Sequence, residues 1–164
     1  MVIENSKLKA AVGLLIESFR TQLYTVHKTI VFNKTDFNQA LKGQDLMRKY
    51  KYFKDFQTFE KIARDRFNKV LDKGEAQNIE WTEISFDKFV SDNSSDQLDE
   101  IHGHLGLKHV DRCFSIIGLH FILINGSYKL NSMELCGLYE IELLEYSYVH
   151  SDDMQLEQLE DDGF

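Results

Sequence analysis

Apolar residues recur at Leu8, Val12, Leu15, Phe19, Leu23, Val26 and Ile30, at steps of four, three, four, four, three and four. That spacing follows one face of a helix and predicts one running from Lys7 to about Val31. Asn5 or Ser6 stands where a side-chain oxygen can cap its first turn, and the β-branched, Asn-containing stretch TIVFNKTD ends it. A second, shorter helix opens at Thr35 or Asp36 and runs towards Tyr50, with Phe37, Leu41 and Leu46 as its apolar residues. A third covers Phe53 to Lys73. Its stripe is Phe56, Phe59, Ala63, Phe67 and Val70, and Gly74 sits in the place of a C-cap glycine.

After Gly74 the periodicity changes. NIEWTEIS and FDKFVS are short, aromatic and β-branched, and read as strands or brief helical turns. SDNSSD is a polar loop, from which Ser94 or Ser95 caps a short helix through DQLDEIHGH. From Cys113 the pattern turns to strands: CFSIIGLHFILI is a long apolar run, Asn125-Gly126 is a two-residue hairpin signal, and SYKLNSMELC returns. A further strand fits LYEIELLEYSYV, with Tyr139, Ile141 and Leu143 on one face and Glu140 and Glu142 on the other. The parity flips at Leu144, Tyr146 and Tyr148, as a bulge makes it do.

These elements predict an α+β fold, an N-terminal layer of about three helices packed on a C-terminal antiparallel β-sheet. Its core places Leu15, Phe19, Leu23 and Val26 against Ile122, Ile124, Ile141 and Leu143, because an apolar helix stripe and an apolar sheet face each need a cover. With 164 residues, no proline and no internal repeat, one domain over residues 1–150 followed by an acidic tail over 151–164 is the expected organisation. The first apolar stretch is interrupted by Glu17 and Arg20, which predicts neither a signal peptide nor a membrane span and points to the cytoplasm. Cys113 and Cys136 are expected to be two buried thiols rather than a disulfide.

Charge changes the picture most. Residues 1–75 carry 15 basic and 9 acidic side chains, a balance of +6, whereas residues 76–164 carry 4 and 18, a balance of −14. The chain is an electrostatic dipole along its sequence, with one part able to meet polyanions and the other a basic partner.

Three constellations carry candidate chemistry. In EIHGHLGLKH, His102 and His104 would share one face of a strand and one metal, with His109 or Asp111 as a third ligand and Glu100 as a general base. On a helix they stand about 200° apart and cannot. The Ser cap upstream favours the helix, so no metal, no cofactor and no catalytic residue is expected, and a small metal-dependent enzyme is the alternative. The stretch RKYKYFKDFQTF alternates cations with aromatics, which is the recipe for binding single-stranded nucleic acid. Its phenylalanines fall on the inner stripe of the third helix, however, and Asp55, Glu60 and Asp65 interrupt any phosphate track. The third constellation is the acidic half: Glu134, Glu140, Glu142 and Glu145 on or beside the last strand, then Asp152, Asp153 and Glu157 in the tail. Such carboxylates steer a basic partner and can occupy a groove built for phosphates. The sequence therefore favours a non-enzymatic acidic protein that inhibits a basic, nucleic-acid-handling protein such as a nuclease toxin or a defence nuclease. That is the physical profile of toxin-immunity proteins and phage-encoded inhibitors of host defence.

Overall fold

The structure, a computed structural model, describes residues 5–42, 55–91 and 99–141. Helix α1 (Ser6–Thr21) begins where Asn5 Oδ1 accepts the backbone N–H groups of Lys7 and Leu8. It ends sooner than the apolar spacing predicts. Gln22 takes a left-handed φ of 57° and its N–H bonds the carbonyl of Phe19. The chain re-enters a single helical turn, α2 (Tyr24–His27), at a new angle, and Leu23 is left 52% exposed. The break is a tertiary choice: it brings His27 under α1, where the imidazole is fully buried against Ser18 and Phe67.

Helix α3 (Lys34–Lys42) is opened by a reciprocal cap between Asn33 and Asp36. The Asp36 N–H donates to Asn33 Oδ1, and the Asn33 N–H donates to Asp36 Oδ2. Leu46 and Tyr50, expected on the same helix, lie outside the described residues. Helix α4 (Phe56–Ala76) starts at Asp55, whose carboxylate accepts the Thr58 N–H at 2.7 Å. Gly74 is no cap. It lies inside α4 and is buried against the Trp81 ring, which a Cβ there would strike.

A 3₁₀ turn (Trp81–Glu83) leads into four antiparallel strands: β1 (Ile84–Ser91), β2 (Glu100–His109), β3 (Arg112–Ile124) and β4 (Ser127–Ile141), paired in sequence order. The fold is thus α+β, helices first and antiparallel sheet after. Asn125 and Gly126 both have positive φ, the backbone of the two-residue turn that joins β3 to β4. Two expectations give way. Of the helix expected through DQLDEIHGH, Glu100 to His104 belong to β2, a central strand whose Leu105 and Leu107 are buried, while Ser94, Ser95 and residues 96–98 lie outside the described residues. A Cβ on Gly103 would lie 2.7 Å from Phe89 Cζ, so this strand passes too close to β1 for any other residue. Nor does LYEIELLEYSYV begin a strand of its own, since Leu138 to Ile141 continue β4 past a bulge.

Leu15, Phe19, Phe67, Val70 and Trp81 pack from the helical side onto Leu105, Phe114, Ile116 and Phe121. Phe19 stacks on Phe67 and on Trp81 with centroids 5.5 Å apart in each case. The predicted partners Ile122 and Ile124 belong instead to a second cluster with Val31, Phe32, Phe37 and Phe59. After the turn at Gln22, Tyr24 and Ile30 stay with the first cluster, while Val31, Phe32 and Phe37 serve the second. Among the described residues no helix is long and apolar enough to cross a membrane.

Candidate functional site

Because β2 is a strand, Glu100, His102 and His104 recur every second residue and share one face of the sheet, as the strand reading of EIHGHLGLKH requires. The third partner is not His109. It is His120, which pairs directly with His102 across β2 and β3. The two imidazoles stack with centroids 4.0 Å apart and planes 9° from parallel.

Glu100 Oε1 lies 3.3 Å from His102 Nε2 and 2.7 Å from His120 Nε2. The three donor atoms fall within 4.8 Å of one another. On its other side His120 Nδ1 receives the amide of Asn131, at 3.2 Å from Nδ2. With that donor on Nδ1, the neutral ring carries its proton on Nε2, facing the Glu100 carboxylate. The cluster is graded from interior to solvent: the side chain of His120 is 1% exposed, that of Glu100 31% and that of His102 45%.

A bulge creates this pairing. Between His109 and Leu105 the hairpin is regular, matching His109 with Arg112 and Leu105 with Ile116. Beyond it Gly103 faces Leu119, so β3 has spent one extra residue around Gly118, whose φ is 74°. That residue moves His120 from the core face to the face of His102.

No family model, curated protein or solved structure matches the chain. Its function must therefore be read from its own residues.

The other buried imidazoles hold the fold together. His109 Nε2 accepts the backbone N–H of Glu80 at 3.1 Å, tying the end of β2 to the segment before the 3₁₀ turn. His104 is buried on the face of Glu100 and His102 without joining their cluster. The Ser18 hydroxyl donates to the Leu15 carbonyl at 2.6 Å and so accepts from His27 Nδ1, 3.1 Å away. Burial pushes the His27 pKa down to about 3.

The acidic residues separate. Glu140 is exposed on β4 and is held by Arg112, whose Nε donates to both carboxylate oxygens at 3.1 Å. These hydrogen bonds hold the Glu140 carboxyl below its ordinary range. Glu134 falls in β4 with its side chain outside the described part, and Glu142, Glu145, Asp152, Asp153 and Glu157 lie outside the described residues. Of the basic aromatic stretch, residues 48–54 are likewise outside them, while Phe56 and Phe59 pack inward against Phe37 and offer no stacking platform.

Sequence reasoning had Glu100 and His102 in view but missed His120 and Asn131. The signal that finds them is the hairpin register, and it needs the bulge to be known.

Proposed function

We propose that the chain is a non-enzymatic binding protein whose acidic half engages and blocks a basic, nucleic-acid-handling partner protein, in the manner of a toxin-immunity or anti-defence inhibitor. The observation that carries this reading is the coincidence of the charge boundary with the layer boundary. Helix α4 ends at Ala76 and the sheet begins at Ile84, where the balance passes from +6 over residues 1–75 to −14 over residues 76–164. The acidic half holds only four cations, and they are drawn into contacts within the chain. Lys108 is 3.5 Å from Asp87, Arg112 is on Glu140, and Lys129 donates to the Thr29 carbonyl at 2.8 Å. Eighteen carboxylates against four cations leave a negative field able to steer a basic protein over distances of about a Debye length, roughly 8 Å at physiological salt.

Glu140 is not part of the proposed contact surface, because Arg112 already occupies it. The carboxylates that remain are Glu134 within β4 and, later in the sequence, Glu142, Glu145, Asp152, Asp153 and Glu157.

The test starts from a basic protein recovered with the chain from its native host. Stopped-flow association between the two purified proteins should slow steeply as salt rises, while dissociation changes little. The double variant Glu142→Lys, Glu145→Lys and the deletion of residues 151–164 divide the acidic residues by sequence position, and at least one should lower the on-rate about tenfold or more. A complex whose kinetics ignore salt and both changes refutes acidic engagement.

A further inference from the structure

We infer that Glu100, His102 and His120 form a binding site for one divalent first-row metal ion of the zinc class, supported from behind by Asn131. Two imidazoles and one carboxylate are a donor set suited to zinc, iron or nickel; calcium and magnesium ask for more oxygen ligands than one carboxylate supplies. With metal–ligand bonds of about 2.0–2.1 Å, tetrahedral coordination sets ligand atoms about 3.3 Å apart. Glu100 Oε1 and His102 Nε2 are already 3.3 Å apart, and Glu100 Oε1 and His120 Nε2 are 2.7 Å apart, so about half an ångström of opening admits the ion.

One further adjustment is needed. Parallel stacked rings direct their lone pairs side by side, and coordination requires them to converge. His102 supplies that movement, because its side chain is 45% exposed while His120, at 1%, is fixed in the sheet. Asn131 answers the protonation problem. A metal on His120 Nε2 places the ring proton on Nδ1, and a turned Asn131 amide presents Oδ1 to accept it, the outer hydrogen bond that metal-bound imidazoles commonly make. Three protein ligands on the rim of the sheet leave the remaining position open to water. The negative balance of this half of the chain favours a cation there as well.

The experiment uses the full chain without an affinity tag, stripped with chelator and titrated with zinc chloride by calorimetry. One equivalent should bind, and His102→Ala and Glu100→Gln should each weaken binding at least about tenfold. Both side chains are partly exposed, so these variants should keep the fold. Wild-type protein gives a second readout that needs no variant: zinc should shift the imidazole nitrogen resonances of His102 and His120 and leave those of His27 and His109 in place. Absence of stoichiometric binding, binding untouched by both substitutions, or resonance changes confined to other histidines would overturn the site and leave Glu100, His102 and His120 as a purely polar cluster. None of these outcomes bears on the acidic binding surface, whose test is separate.

Discussion

Arg112 locks Glu140 to the β2–β3 turn: its Nε lies 3.1 Å from each carboxylate oxygen, and its Nη1 donates to the Gln77 carbonyl at 2.7 Å. One guanidinium thus joins the start of β3, the last residues of β4 and the C-terminal end of α4. Both side chains are substantially exposed, so water and salt weaken the pair, and Glu140→Gln should cost less than about 1 kcal/mol in urea unfolding at pH 7. The Glu140 carboxyl is held below its ordinary value, so its contribution is present above about pH 4.5 and is lost as pH falls through the lowered value. Wild type and Glu140→Gln should therefore converge in stability as the solution is acidified. Partner affinity should change less in this variant than in Glu142→Lys, Glu145→Lys.

The early end of α1 predicts a sharp contrast between two residues of one apolar stripe. Phe19 is fully buried between Phe67 and Trp81, whereas Leu23, one helical turn later in the sequence pattern, is 52% exposed. Phe19→Ala should cost about 3–5 kcal/mol, the transfer of a ring plus the cavity it leaves. Leu23→Ala should change stability by less than about 0.5 kcal/mol. Equal losses in the two variants would mean that the helix runs on through Gln22.

His27 makes stability depend on pH. The unfolded chain takes up its proton near pH 6.5, and the buried imidazole resists it down to about 3. Stability from this group is complete above about pH 6.5 and is lost progressively towards pH 3, at about 1.4 kcal/mol per unit. The expected loss between pH 6.5 and 5 is about 2 kcal/mol. His27→Gln should be less stable at neutral pH, having lost the Ser18 bond and the Phe67 contact, but its urea midpoint should vary less across that window. A profile as steep as the wild type's would assign the acid sensitivity to other groups.

Val110 is strained. Its φ of 57° lies in the left-handed region that a β-branched residue resists, and at 82% exposure it recovers nothing by burial. Val110→Asn should raise stability by about 1 kcal/mol, seen as a higher urea midpoint at unchanged slope. Val110→Gly should gain less, because glycine also loosens the unfolded chain. A lower midpoint for Val110→Asn would show that the valine contributes something other than strain.

What the sequence determined was local. The stripes of α1 and α4, the Asn5 cap, the Asn125-Gly126 turn and the division of charge between the two halves each follow from residues within a few positions of one another, and all are present in the fold. The order of helices and antiparallel strands follows from them, since an apolar helix face and an apolar sheet face must cover each other. Tertiary structure decided three other matters. The spacing that carried the α1 stripe through Leu23 and Val26 was overridden at Gln22, where turning the chain buries His27. A helix was the local reading of the residues around His102, yet Glu100 to His104 form a strand because β1 and β3 supply its backbone partners. The meeting of Glu100, His102 and His120 was beyond any local pattern. Helical and strand periods are properties of neighbouring residues, whereas cross-strand register is set by the whole hairpin, and one extra residue at a bulge moves every later side chain to the opposite face.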